Sequence, residues 1–300
     1  MLKPLIKPIY RFTHDLLNAC SPLWAYPLAG RPVKWGHISA EHLQDPSLDE
    51  ELARTFGSMG IAVEPYYIPE AAYRQYLREV TYPDSYYGGG RDPKANFTEK
   101  SLEHFVSLQF LQLNAHSVFV DIAACNSPFH QIVRQYLGVR TTYQQDLIYP
   151  PGIHGHRIGG YADKLYLPDE SVDAVTLHCS LEHFEGEGDT AFFRELQRVL
   201  RPGGRAVVLP FYLAHTYTLH IDPAYNLLKG HRPGLDPQAQ LRYCSWYQFF
   251  SRHYDPPALQ RRILQQAPAL RLSLYRVMNF RQIDARCYLR WVGVFEKRAE

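Results

Sequence analysis

The chain has 300 residues, 46% hydrophobic and 21% charged, with 32 Lys and Arg against 30 Asp and Glu. That composition suits a sizeable buried core and excludes a disordered, collagenous or coiled-coil chain. A net charge of +2 gives no electrostatic reason to expect nucleic acid as a partner. No apolar run reaches the ~18–20 residues that stable membrane insertion needs. Asp15, Asn18 and Pro22 interrupt the apolar N-terminus, which makes it a poor signal peptide. Five cysteines, an odd number, suit reduced thiols, so the expected location is cytoplasmic.

Up to residue 97, Pro, Gly and aromatic residues are dense, and only residues 69–80 keep helical spacing. Residues 82–97, YPDSYYGGGRDPKANF, read as a mobile loop in which Pro83 and Pro93 bracket three glycines. From Thr98 the pattern changes to an α/β rhythm. Thr98 and Ser101 offer a capping start for a helix over LEHFVSLQFLQL. SVFVDIA (117–123) reads as a buried parallel strand, and PFHQIVRQYLG as a helix stopped by Gly138. TTYQQDL (141–147) and DAVTLHCS (173–180) are further strands. DTAFFRELQRVLRPGG (189–204) is an amphipathic helix, and RAVVLPFYL (205–213) the strand after it. LRLSLYRVMNF and RCYLRWVGVFEKR then form an antiparallel pair at one sheet edge. This alternation predicts a doubly wound, mostly parallel sheet whose ligand lies at the carboxyl ends of its strands.

Four segments in order carry a resemblance. They are VDIAACNSP (120–128), Asp146 at the end of the second strand, GGYADKLYLPDESVDAV (159–175), and HCSLEHF followed by FRELQRVLRPGG. Together they resemble the catalytic core of the class I S-adenosylmethionine-dependent methyltransferases, in particular those acting on small molecules. The resemblance implies a Rossmann-like α/β fold with an antiparallel C-terminal edge strand. It also implies S-adenosylmethionine as cofactor and a small-molecule acceptor. The expected domains are an N-terminal appendage and lid over 1–97 and a core over 98–300, with an acceptor-binding insertion at about 211–257.

The residues agree with what the family implies. A strand entering a tight turn at a helix N-terminus brings backbone N–H groups close to a ligand. Asp121, Ala123, Cys125 and Asn126 stand at that turn, where Ala123, Cys125 and Ser127 replace the family's usual glycines. Asn126 tolerates left-handed geometry and can take one strained position. Asp146 is the expected ribose anchor, through charge-assisted bonds to two hydroxyls. Tyr161 stands where an acidic residue often meets adenine, so the Ala162 backbone and Asp163 are the expected adenine contacts. The family's residues after the fourth strand face the transferred methyl, which makes His183, His178 and Glu182 the candidate bases. His215 and His220 of the insertion, or no protein base at all, remain alternatives. Tyr86 and Tyr87 beside the glycine hinge form a candidate lid. His154, His156, His178, Cys179 and His183 lack the spacing of a zinc site, so no metal is expected. The rival functions are a scaffold on the same fold and a non-methylating enzyme using the same cofactor. The acceptor and the oligomeric state stay open.

Overall fold

The computed structural model describes residues 3–92 and 95–299, so Pro93 of the glycine loop lies outside the described residues. The chain packs as two units, one of residues 53–181, 188–211 and 260–300 and one of residues 1–52, 182–187 and 212–259. Packing therefore divides the chain at residue 52 and around the insertion, where the sequence pattern divides it near residue 98. No described helix is long and apolar enough to cross a membrane.

The larger unit is built on a nine-stranded sheet. Inside it lies Val118–Ile122, whose last four residues are buried, as an apolar strand covered on both faces should be. Thr141–Asp146 and Val172–His178 flank it in parallel, and Leu200–Leu209 continues the parallel run beyond Val172–His178. Trp291–Lys297 is antiparallel to Leu200–Leu209 and to Leu270–Val277, so the expected C-terminal antiparallel pair forms. One strand lies outside that pair: Ala62–Tyr66, parallel to Leu270–Val277. Arg157–Gly159 and Gly152–His154 complete the opposite edge.

Several boundaries differ from the pattern, each for a local reason. The helix after the glycine loop runs Phe97–Phe110 and has no side-chain cap. Ser101, expected near its cap, sits inside it and returns its hydroxyl to the Phe97 carbonyl at 2.9 Å. The helix Gly188–Val199 stops before Arg-Pro-Gly-Gly, because Leu200 already pairs with Val172. The ladder then resumes at Ala174 and Arg205 across an irregularity in register. The helix Phe129–Tyr136 ends as predicted, with Gly138 left-handed at φ 69°.

The smaller unit holds a four-stranded sheet in the order Val33–Trp35, Gln240–Tyr243, Thr218–Ile221, Ser251–His253. Its first two pairings are parallel and the last antiparallel. Asp222 caps the helix Pro223–Lys229 and also accepts from the amides of Trp246 and Tyr247. Burial pushes its carboxyl up, but the Tyr225, Trp246 and Tyr247 amides and His14 outweigh that and hold it low. His14 and Asn18 reach Asp222 from the helix Lys3–Ala19, so the N-terminal segment is integral to this unit.

Candidate active site

Val118–Ile122 runs into a turn whose backbone is left-handed at Ala123, Cys125 and Asn126, with φ of 51°, 43° and 63°. Asn126 takes a strained position as expected, and Ala123 and Cys125 do so too. Left-handed backbone costs roughly 1–2 kcal/mol for an L-residue. The turn thus keeps a geometry that suits glycine while using small side chains. Two neighbouring residues hold it there. Asp146 Oδ2 accepts from the Cys125 amide at 2.7 Å, and Gln145 Oε1 accepts from the Ala123 amide at 3.1 Å. The Gln145 side-chain amide donates to the Gly160 carbonyl, which ties the turn to the loop carrying Ala162 and Asp163. Asp146 Oδ1 accepts from the Ile148 amide at 3.1 Å.

Asp121, 1% exposed, lies just before the turn. The Thr176 hydroxyl donates to its Oδ1 at 2.9 Å, and His178 Nδ1 stands 3.3 Å from the same oxygen. Asp121 Oδ2 is buried and has no partner. His178 Nε2 meets the Ser107 hydroxyl at 2.8 Å. An open cleft of about 230 Å³ is lined by Asp121, residues 122–125, Ser127, His178, Cys179, Ser85, Tyr86, Tyr87, Lys100 and Glu103. Behind its tyrosines, His104 Nδ1 meets the Tyr82 hydroxyl at 3.0 Å and Nε2 the Tyr86 hydroxyl at 3.1 Å. Burial, then His178, push His104 well below the ordinary histidine range, so it stays neutral.

Of the residues singled out by sequence, the cleft brings together Asp121, Ala123, Cys125, His178, Tyr86 and Tyr87. Asn126 belongs to the same turn, and Asp146 holds that turn from the strand end. Ala162 is buried and Asp163 exposed, and neither lines the cleft. Leu147 and Ile148, next to Asp146, are 60% and 55% exposed. Glu182, His183, His215 and His220 belong to the smaller unit. There His183 Nδ1 meets the Phe250 carbonyl, and His183 Nε2 lies 3.6 Å from Glu182. His215 Nδ1 lies 3.0 Å from His42 Nε2, and His42 Nδ1 lies 2.9 Å from Asp49. His220 Nε2 accepts from the Ile38 amide at 3.0 Å and its ring stacks on His37. Cys125 is no activated thiol, because burial and then Asp146 push it up and the helix begins only at Phe129. Sequence reasoning missed Gln145, Lys100 and Glu103. The only available signal for Gln145 was its place beside Asp146.

Residues 152–208 match the family model of a methyltransferase domain. Over those residues the chain carries a methyltransferase-domain pattern. The sheet around them, with its parallel centre and antiparallel C-terminal pair, is the Rossmann-like fold that the sequence resemblance implies. No curated protein matches the sequence. Several solved methyltransferases show a distant likeness. One is the 1,6-didemethyltoxoflavin-N1-methyltransferase of Burkholderia thailandensis, solved with 1,6-didemethyltoxoflavin and S-adenosylhomocysteine. It is 18% identical, with a TM-score of 0.46, over 79% of this chain and 92% of that one. Another is the geranyl diphosphate C-methyltransferase of Streptomyces coelicolor A3(2), 14% identical with a TM-score of 0.41, over 77% of this chain and 99% of that one. A third, an S-adenosylmethionine-dependent methyltransferase of Mesorhizobium loti, is 17% identical with a TM-score of 0.41, over 65% and 98%.

Proposed function

We propose that this methyltransferase transfers the methyl group of S-adenosylmethionine to an oxygen or nitrogen of a small molecule, with a sugar or secondary metabolite as acceptor. The observation that carries the reading is Asp121 Oδ2, a buried carboxylate oxygen with no donor, beside a left-handed turn that opens on the cleft. Leaving such an oxygen unpaired costs about 1–3 kcal/mol or more, and an ammonium group is the donor that a methionine moiety brings. The residues present fit the cofactor in three further respects. Small side chains at Ala123 and Cys125 let backbone come close. Asp146 keeps lone pairs beyond those used by Cys125 and Ile148, which suits ribose hydroxyls. Leu147 and Ile148 offer apolar surface to a planar base, with Ala162 and Asp163 on the neighbouring loop for its polar edge.

When bound, S-adenosylmethionine supplies a methyl carbon on a positively charged sulfur. The chain's own task is to align donor and acceptor, exclude water and accept one proton. Tyr86 and Tyr87 cover the cleft. His178 has both ring nitrogens engaged, by Asp121 and Ser107, which supports a positioning role. His183 is braced by the Phe250 carbonyl, which supports a structural role for it and for the adjoining Glu182. His215, oriented by His42 and Asp49, and His220 remain residues of the insertion with no assigned step.

Calorimetry with S-adenosylmethionine and S-adenosylhomocysteine tests the reading. Binding at sub-millimolar concentration is expected, with stabilisation of about 2.7 kcal/mol at a hundred times the Kd. Absence of binding at millimolar ligand would assign the chain a scaffolding role instead. Mass analysis of products separates methylation from another use of the same cofactor.

A further inference from the structure

The helix Phe97–Phe110 is buried from Glu99 to Leu108. A helix enclosed on every side is ordinarily apolar all round, yet this one carries Glu99, Lys100, Glu103 and His104. Each buried charge costs several kcal/mol unless it is well paired, so stability does not explain them. Lys100, Glu103, His104 and Ser107 fall at i, i+3, i+4 and i+7, which puts them on one stripe of the helix. Lys100 and Glu103 line the cleft. Lys100 Nζ donates to Glu103 Oε1 at 2.9 Å and to Cys179 Sγ at 2.6 Å. The Cys179 thiol donates to the same Glu103 oxygen at 3.1 Å and lies 3.6 Å from the Tyr288 hydroxyl. Both bonds to Glu103 fall on Oε1. Glu103 Oε2 is buried and has no partner, although the residue borders an open cleft.

We infer that Glu103 Oε2 binds the acceptor's reacting N–H or O–H and receives its proton, so that the methylated atom is nitrogen or oxygen and not carbon. This rests on the methyl-transfer reading of the same cleft. The acceptor's lone pair forms the new bond to the methyl carbon as the carbon–sulfur bond breaks, and the breaking pair stays on sulfur. The acceptor's proton passes to Glu103 Oε2. Lys100 and Cys179 are positioning residues that hold the carboxylate by its other oxygen. Burial, and next Glu103, push the neighbouring Glu99 carboxyl up to about 8, which leaves Glu99 largely protonated at neutral pH. Lys100 Nζ stands 2.9 Å from Glu103 Oε1 and forms an ion pair with it.

The test compares small probes that carry a donor with close analogues that lack one. Phenol is set against anisole, and aniline against N,N-dimethylaniline, by competition saturation-transfer NMR on the full chain. Each is read with and without S-adenosylhomocysteine. The wild type should prefer the donor probes roughly tenfold or more, as expected for a hydrogen bond to a charged group. Glu103→Met should abolish that preference while leaving the S-adenosylhomocysteine affinity, measured by calorimetry, unchanged. Should Glu103→Met not fold, Glu103→Gln and Glu103→Asp replace it, and both should weaken the preference. A wild type without the preference, or variants that keep it, would overturn the role of Glu103. Loss of S-adenosylhomocysteine binding in the wild type tells against the cofactor reading alone, because the probe comparison without it still stands.

Discussion

At the scale of single residues, the first turn shows how a sequence can lose its glycines and keep their backbone. Cys125 sits at φ 43° with its amide held by Asp146. Replacing it with Gly removes about 1–2 kcal/mol of left-handed strain and adds about 0.5–1 kcal/mol of chain flexibility. Cys125→Gly should therefore raise stability by up to about 1.5 kcal/mol in urea unfolding. A loss of stability would show that the thiol itself supports the turn. Asp146 supports the turn, and the proposed function also gives it the ribose. Asp146→Ala should weaken S-adenosylhomocysteine by about 2–4 kcal/mol in calorimetry, since it removes charged bonds and frees the Cys125 and Ile148 amides. Unchanged affinity with an intact circular dichroism spectrum would remove Asp146 from the site.

Among the elements, the helix Phe97–Phe110 departs furthest from what its sequence suggests. Its charges at Glu99, Lys100 and Glu103 have the spacing of a solvated face, yet the strands and loops around it bury them. The energetic consequence is readable in pH. Burial first, and then Glu103, raise Glu99 from 4.5 to about 8, so the native chain holds a proton that the unfolded chain releases. That contribution to stability is complete below about pH 4.5 and is lost as pH rises towards and through about 8. Thermal unfolding should therefore fall between about pH 5 and pH 9, and Glu99→Gln should flatten the slope. Equal slopes in the two proteins would mean that Glu99 ionises freely in the native state. The glycine loop differs from its expectation in a related way. Tyr82 is buried and bonded to the Tyr76 hydroxyl and His104, so the loop is anchored at its start.

For the whole molecule, the consequential feature is that residues 1–52 fold with 212–259. Val33–Trp35 pairs in parallel with Gln240–Tyr243, and His14 and Asn18 satisfy Asp222. Deleting residues 1–52 should leave Gln240–Tyr243 as a bare edge strand and Asp222 short of two donors. The shortened chain is expected to lose strand content by circular dichroism and to self-associate in sedimentation. A shortened chain that stays monomeric and melts like the full one would contradict that coupling.

The α/β core was legible in the residues because its signals are local. Apolar runs such as SVFVDIA, helix stops such as Gly138, and small residues after Asp121 act within a few positions of themselves. The strand-end carboxylate Asp146 and the turn at Ala123 and Cys125 were legible for the same reason. Short strands such as Ala62–Tyr66 and Val33–Trp35 carry no periodicity of their own, and they exist because a partner distant in sequence supplies their hydrogen bonds. The cleft's polar wall follows the same logic. Lys100 and Glu103 on one helix meet Cys179 at a strand end 79 and 76 positions away, and Tyr288 closes the set from the C-terminal segment. Nothing in a run of charges reports whether its face will be solvated or enclosed. That is decided when distant segments pack over it, and here they enclosed the helix and left Glu99 Oε1 and Glu103 Oε2 without hydrogen-bond partners.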